Sequence, residues 1–122
     1  MFELKIKTHF AAAHQLTMVS RKCENLHGHN WKIEVCVAGD QLDDAGVLID
    51  FGILKKYLAD VIDGLDHQFL NELDCFGSQP SSEKIAVHIA EALQNKLDDT
   101  KLRISRVSAW ESENACASYV PE

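Results

Sequence analysis

Residues Cys23–Ala38 read CENLHGHNWKIEVCVA. From His27 onward the odd positions carry His27, His29, Trp31, Ile33, Val35 and Val37, and the even positions include Gly28, Asn30, Lys32 and Glu34. A period of two is the pattern of a strand with one buried face. The stretch therefore predicts a strand over His27 to Ala38. Residues i and i+2 of a strand point the same way, so two imidazoles extend an apolar stripe, with Gly28 adding no bulk between them. Just upstream stand a thiol, Cys23, and a carboxylate, Glu24.

The preceding segment has the same rhythm. Phe2, Leu4, Ile6, Thr8, Phe10, Ala12 and His14 share one parity, and the odd positions Glu3 to Lys7 are charged. This predicts a first strand from Phe2 to His14, with a polar loop from Gln15 to Leu26. Downstream, Gly39-Asp40 and Asp43 to Gly46 mark a turn region. Asp50 is placed to cap a helix whose apolar face is Phe51, Leu54, Leu58, Val61, Ile62 and Leu65, ending near Gly64. Cys75 to Ser82 reads as a loop. A second helix begins near Ser81 or Ser82, with Glu83 in its first turn and Ile85, Ile89, Ala92, Leu93 and Leu97 on one stripe.

The last quarter is strand-like again. Leu102 and Ile104 share one parity, Val107 and Ala109 the other, which predicts a bulge or bend between them. Ser112 to Asn114 forms a turn before a final strand, Ala115 to Val120. The order β-β-α-α-β-β gives an α+β fold in which two hairpins make an antiparallel sheet and the helix pair covers one face. Open sheet edges invite assembly with further copies of the chain.

A chain of 122 residues suits a single domain, residues 1–122. Enclosing a large cleft within it would be hard, which points to a site at a subunit interface. The formal net charge of −7 excludes a general nucleic-acid binder, which needs a basic footprint. Arg21 and Lys22 are candidates for holding an anionic small molecule, or they are solvated loop charges. Cys23, Cys36, Cys75 and Cys116 are widely spaced, with no secretory signal, so disulfides are not expected. No apolar run approaches membrane-spanning length. These features predict a cytoplasmic protein.

Chemistry concentrates at His14, His27 and His29. His14 ends the first strand on the parity of its apolar face, so a hairpin turns it towards the other two. Three neutral imidazoles suit Zn²⁺ and leave a fourth position open, as in a catalytic site. Cys23 is either a fourth ligand, closing the site into a structural one, or a thiolate beside an open metal that moves protons. His9 and His88 have no such company and read as structural or exposed.

Two further groups carry a choice of readings. In LDHQFLN, Leu65 to Asn71, Asp66 and His67 are either a carboxylate-oriented imidazole or a helix-terminal acid beside a surface histidine. Glu111 shares parity with Val107 and Ala109. It either faces inward to grip a ligand with two parallel N–H donors, such as an amino-pyrimidinone edge, or ends its strand in solvent.

Taken in order, FAAAHQL, C-x-x-x-H-G-H, GVLIDF, LDHQFLN, PSSE and the late Glu111 resemble the 6-pyruvoyl-tetrahydropterin synthase family. That family includes the bacterial 6-carboxytetrahydropterin synthases, and the likeness covers nearly the whole chain. It implies a tunnelling fold, with a four-stranded antiparallel sheet and two helices on one side. Three subunits would close a barrel, and two trimers would stack as a homo-hexamer with interfacial sites. It further implies that His14, His27 and His29 hold Zn²⁺ and that Cys23 is a catalytic thiol rather than a ligand. Asp66 and His67 would relay protons, reaching the site from a neighbouring subunit, and Glu111 would anchor a pterin.

The implied substrate is 7,8-dihydroneopterin triphosphate, a small-molecule pterin triphosphate. In the 6-carboxy branch, on the route to queuosine-type deazapurines, triphosphate leaves and the side chain is cleaved to release acetaldehyde. In the 6-pyruvoyl branch the carbons stay. Glu24, directly after Cys23, resembles a variant branch that cleaves to 6-hydroxymethyl-7,8-dihydropterin for folate, with the carboxylate as a second base; otherwise it is a solvated loop acid. The leading expectation is the 6-carboxy activity, followed by the other two. A separate class of reading is a non-catalytic binding module whose zinc is closed by Cys23.

Overall fold

The structure, a computed structural model, describes residues 1–18 and 25–122. Strand β1 runs Phe2–His14 and β2 runs His27–Gly39. They pair antiparallel along their whole length, with His14 opposite His27 and Ala12 opposite His29. Helix α1, Phe51–Asp63, follows. Next come a two-residue strand β3, Gln68–Phe69, and two single 3₁₀ turns, Leu70–Glu72 and Asp74–Phe76. Helix α2 spans Ser82–Lys96, and the hairpin β4, Arg103–Ser112, and β5, Ala115–Tyr119, ends the fold. The sheet order is β3-β1-β2-β4-β5.

The expected α+β order is present, and the sheet has one strand more than expected. Strand β3 lies parallel to β1, Gln68 beside Ala12 and Phe69 beside Ala13. Two residues carry no periodicity, so this strand exists through its neighbours. The β1 backbone at Ala11 already accepts from His67 N–H at 2.6 Å, which delivers Gln68 to the edge.

The core lies between the sheet and the helices. Trp31, Ile33, Val35 and Val37 of β2 are fully buried, as are Leu54, Ile85, Ile89 and Leu93 of the helices. Helix α1 has only 13 residues, a length that is marginal in isolation. Packing holds it: a fully buried Leu or Ile contributes on the order of 1.5–3 kcal/mol. Asp50 caps it by accepting from Ile53 N–H at 3.2 Å, and Gly64 ends it. Ser81 caps α2 through Lys84 N–H.

The parity switch in β4 is a bulge. Arg106 pairs with Cys36 but Ile104 pairs with Val37, leaving Ser105 as the extra residue. A second irregularity lies between Trp110 and Ser112, where Glu111 is the extra residue against β5. Among the described residues, no helix is long and apolar enough to cross a membrane.

Candidate metal and proton-transfer site

The β1–β2 pairing brings the three histidines together at one end of the sheet. Ring centroids lie 4.5 Å apart for His14–His27, 5.1 Å for His14–His29 and 4.7 Å for His27–His29. Trp31, fully buried, closes the apolar side at 5.2 Å from both His14 and His29. One potential ligand atom from each histidine and one carboxylate oxygen of Glu111 all lie within 4.8 Å of one another.

Two of the rings have their tautomers fixed from behind. His14 Nδ1 lies 2.8 Å from the Pro80 carbonyl, and His27 Nδ1 lies 2.6 Å from the Asn25 carbonyl. A carbonyl only accepts, so each Nδ1 carries the proton and, in the neutral ring, each Nε2 presents a lone pair. His14 is completely buried and its Nε2 has no partner. Burial pushes the His14 pKa down, against the raising effect of the Pro80 bond. Burial likewise lowers His29, against the raising effect of Glu111. Imidazoles facing a common centre, two of them with a buried nitrogen that lacks a hydrogen-bond partner, are the donor set that a borderline-soft divalent metal takes. The residues fit a metal ion.

Glu111 does face inward. Its Oε1 lies 2.8 Å from His29 Nε2, close but without hydrogen-bond alignment. Ser82 Oγ donates to Oε2 at 3.3 Å. Glu111 stands in phase with the buried Val107 and Ala109, so strand alternation puts it on their face of the sheet.

Asp66 and His67 form a pair of a different kind. Asp66 Oδ1 accepts from Ala11 N–H at 2.9 Å, and Oδ2 lies 3.1 Å from His67 Nδ1. The Ala11 bond, foremost, and His67 hold the Asp66 carboxyl below its ordinary pKa. His67 has φ of +59°, in the left-handed region that few non-glycine residues occupy. Its side chain is 81% exposed. His67 and the Gly28–Asn30 backbone line one open groove of about 480 Å³, floored by Ala11 to Ala13.

Cys23 and Glu24, with Arg21 and Lys22, lie outside the described residues. His9 is exposed, and His88 packs edge-on against Phe76 at 5.4 Å, away from the cluster. Three supports of the site were not singled out from sequence: Ser82 and the carbonyls of Pro80 and Asn25. PSSE is part of the family likeness. Its two serines divide the work, since Ser81 caps the helix and Ser82 is left to hold Glu111. A backbone carbonyl leaves no trace in side-chain patterns.

Comparison with known proteins agrees along the whole length. The profile of the family described as 6-pyruvoyl tetrahydropterin synthase matches residues 3–122. A 6-carboxy-5,6,7,8-tetrahydropterin synthase of Bacillus subtilis is 34% identical, covering 99% of this chain and 86% of that protein. A dihydroneopterin monophosphate aldolase of Pyrococcus furiosus is 38% identical, covering 84% and 82%. Among solved structures, the 6-pyruvoyl tetrahydropterin synthase of Caenorhabditis elegans superposes with a TM-score of 0.86 at 26% identity, covering 99% of this chain and 96% of that one.

Proposed function

The chain belongs to the 6-pyruvoyl tetrahydropterin synthase family, and on that premise we propose that it is a zinc-dependent 6-carboxy-5,6,7,8-tetrahydropterin synthase. Its substrate is 7,8-dihydroneopterin triphosphate, and triphosphate and acetaldehyde leave. The observation that carries this reading is the convergence of His14, His27 and His29, two of them with carbonyl-fixed tautomers. The name of the Bacillus subtilis relative supports the 6-carboxy product.

His14, His27 and His29 hold the Zn²⁺, which when bound polarises oxygens of the substrate side chain. Glu111 receives the amino-pyrimidinone edge of the pterin, because a carboxylate matches two parallel N–H donors. Cys23, as thiolate, takes a proton from the side chain. His67 delivers or removes a second proton, with Asp66 stabilising its protonated form. Trp31 keeps water from the inner side of the site. The exposed edge that carries His67 is covered by a neighbouring copy in a trimer, two of which stack as a hexamer. The protein acts in the cytoplasm, on the route to queuosine-type deazapurines.

The Pyrococcus furiosus relative, an aldolase by name, together with the Cys23-Glu24 sequence, favours a second reading: cleavage to 6-hydroxymethyl-7,8-dihydropterin, with Glu24 as a second base. The 6-pyruvoyl activity is the other alternative. Mass analysis of products from 7,8-dihydroneopterin triphosphate separates all three. A 6-carboxy product from both wild type and Glu24→Ala upholds the leading reading. A 6-hydroxymethyl product that disappears in Glu24→Ala replaces it with the second, and accumulation of the 6-pyruvoyl product alone replaces it with the third. Cys23→Ala should keep zinc and lose turnover. Loss of zinc and folding together would favour a structural site.

A further inference from the structure

Glu111 adds a carboxylate to the three imidazoles of the site. His14 Nε2 and His27 Nε2 are lone pairs, because their Nδ1 protons are given to Pro80 and Asn25. His14 Nε2 is buried and unpartnered, and Glu111 Oε1 is 2.8 Å from His29 Nε2 without the alignment of a hydrogen bond. Ser82 holds the other oxygen in place, and Glu111 stands in phase with the buried Val107 and Ala109 of its strand. Two independent devices thus keep Oε1 within 4.8 Å of the three imidazole ligand atoms.

We propose that Glu111 Oε1 is the fourth ligand of the metal site in the resting protein, steadied by Ser82, and that the substrate must draw Glu111 off the metal to be anchored by it. This rests on the metal reading given above. It makes one carboxylate serve two states. With the pterin absent, it closes the fourth position. With the pterin present, its two oxygens turn to the exocyclic amino group and the ring N–H of the pterin, and the three imidazoles would hold the metal. The metal is then opened only when a ligand with the right edge arrives.

The test uses the full-length protein, with Zn²⁺ affinity from chelator competition and the visible spectrum of the Co²⁺-loaded form. Losing a group that only supports a ligand costs about 10–100-fold in metal affinity, so Glu111→Gln should weaken Zn²⁺ by tenfold or more and change the cobalt spectrum. Ser82→Ala should weaken Zn²⁺ by a few-fold. Adding 7,8-dihydroneopterin to the cobalt wild type should change its spectrum. A Glu111→Gln protein with affinity within twofold of wild type and an unchanged spectrum would overturn the proposal. Should that variant not fold, the zinc-induced infrared difference spectrum of wild type decides: a shifted carboxylate band is expected, and none overturns it. His14→Ala separates the two readings. If it abolishes binding while Glu111→Gln changes nothing, the metal site stands and the fourth ligand falls; if wild type binds no cobalt, both fall.

Discussion

The two histidine groups of this protein are built by opposite means. His14 is wholly buried, its ring held between the Pro80 carbonyl, Trp31 and two other imidazoles. His67 is 81% exposed, and its backbone rather than its ring is what the fold grips. Burial lowers the pKa of His14 and of His29 in the first group. Exposure leaves the second open to solvent, with Asp66 beside it. A metal site needs fixed lone pairs before the ligand arrives, whereas a proton relay needs a ring that can change charge. The proposed metal ligands lie at one end of the sheet, and His67 lies at its edge beside β1.

The largest expected effect breaks the buried group. His14→Ala removes a ligand and leaves the Pro80 carbonyl unpaired. Metal content should fall below a tenth of wild type, and turnover should fall by about a thousandfold or more. Elemental analysis beside a turnover assay checks both.

The same substitution at the exposed group should separate the two. His67→Ala should lower kcat by about 10²–10⁴-fold, the range of general acid–base catalysis, with metal content unchanged. A parallel loss of metal would show that the groups are not independent. Asp66→Asn should also lower kcat, and it weakens the grip on Ala11 as well, so its melting temperature should drop where that of His67→Ala does not.

A pH titration sharpens the contrast further. The His14 and His29 pKa values are lowered in the fold, chiefly by burial, from 6.5. Below pH 6.5 the unfolded chain takes up protons that the folded chain refuses, so folding stability is full above 6.5 and declines as pH falls towards the lowered values. The melting temperature of the metal-free protein should therefore fall below pH 6.5, and His14→Ala should flatten that slope. Asp66 adds a further loss at lower pH, since its pKa is depressed below the ordinary 3.8.

The smallest effect lies away from both groups. Asp50→Ala removes the α1 cap and should cost about 1 kcal/mol, read as a shift of a few degrees in melting temperature, with kcat and metal content unchanged.

Much of this could be read from side-chain pattern because burial has a period. His14, His27 and His29 stand in phase with apolar neighbours, and the fold places them on the covered face. Asp50, Gly64 and Ser81 announce helix ends through local chemistry that tertiary packing did not override. The opposed parities of Ile104 and Val107 required an extra residue, and Ser105 is that residue. What could not be read depends on backbone meeting backbone. Strand β3 exists because His67 N–H reaches Ala11. The orienting carbonyls of Pro80 and Asn25 belong to residues whose side chains are irrelevant to the task. The inward aim of Glu111 is legible as one reading of its parity with Val107 and Ala109, whereas its Ser82 partner is not. Cys23 and Glu24 rest on the resemblance, outside the described residues.

The most direct test of the central claim is turnover of 7,8-dihydroneopterin triphosphate by the protein stripped of metal and then titrated with Zn²⁺. The account predicts no acetaldehyde from the stripped protein, then activity rising in proportion to bound zinc and saturating near one ion per chain. Full turnover by the stripped protein, or one bound zinc per chain with no reaction of this substrate, would contradict it.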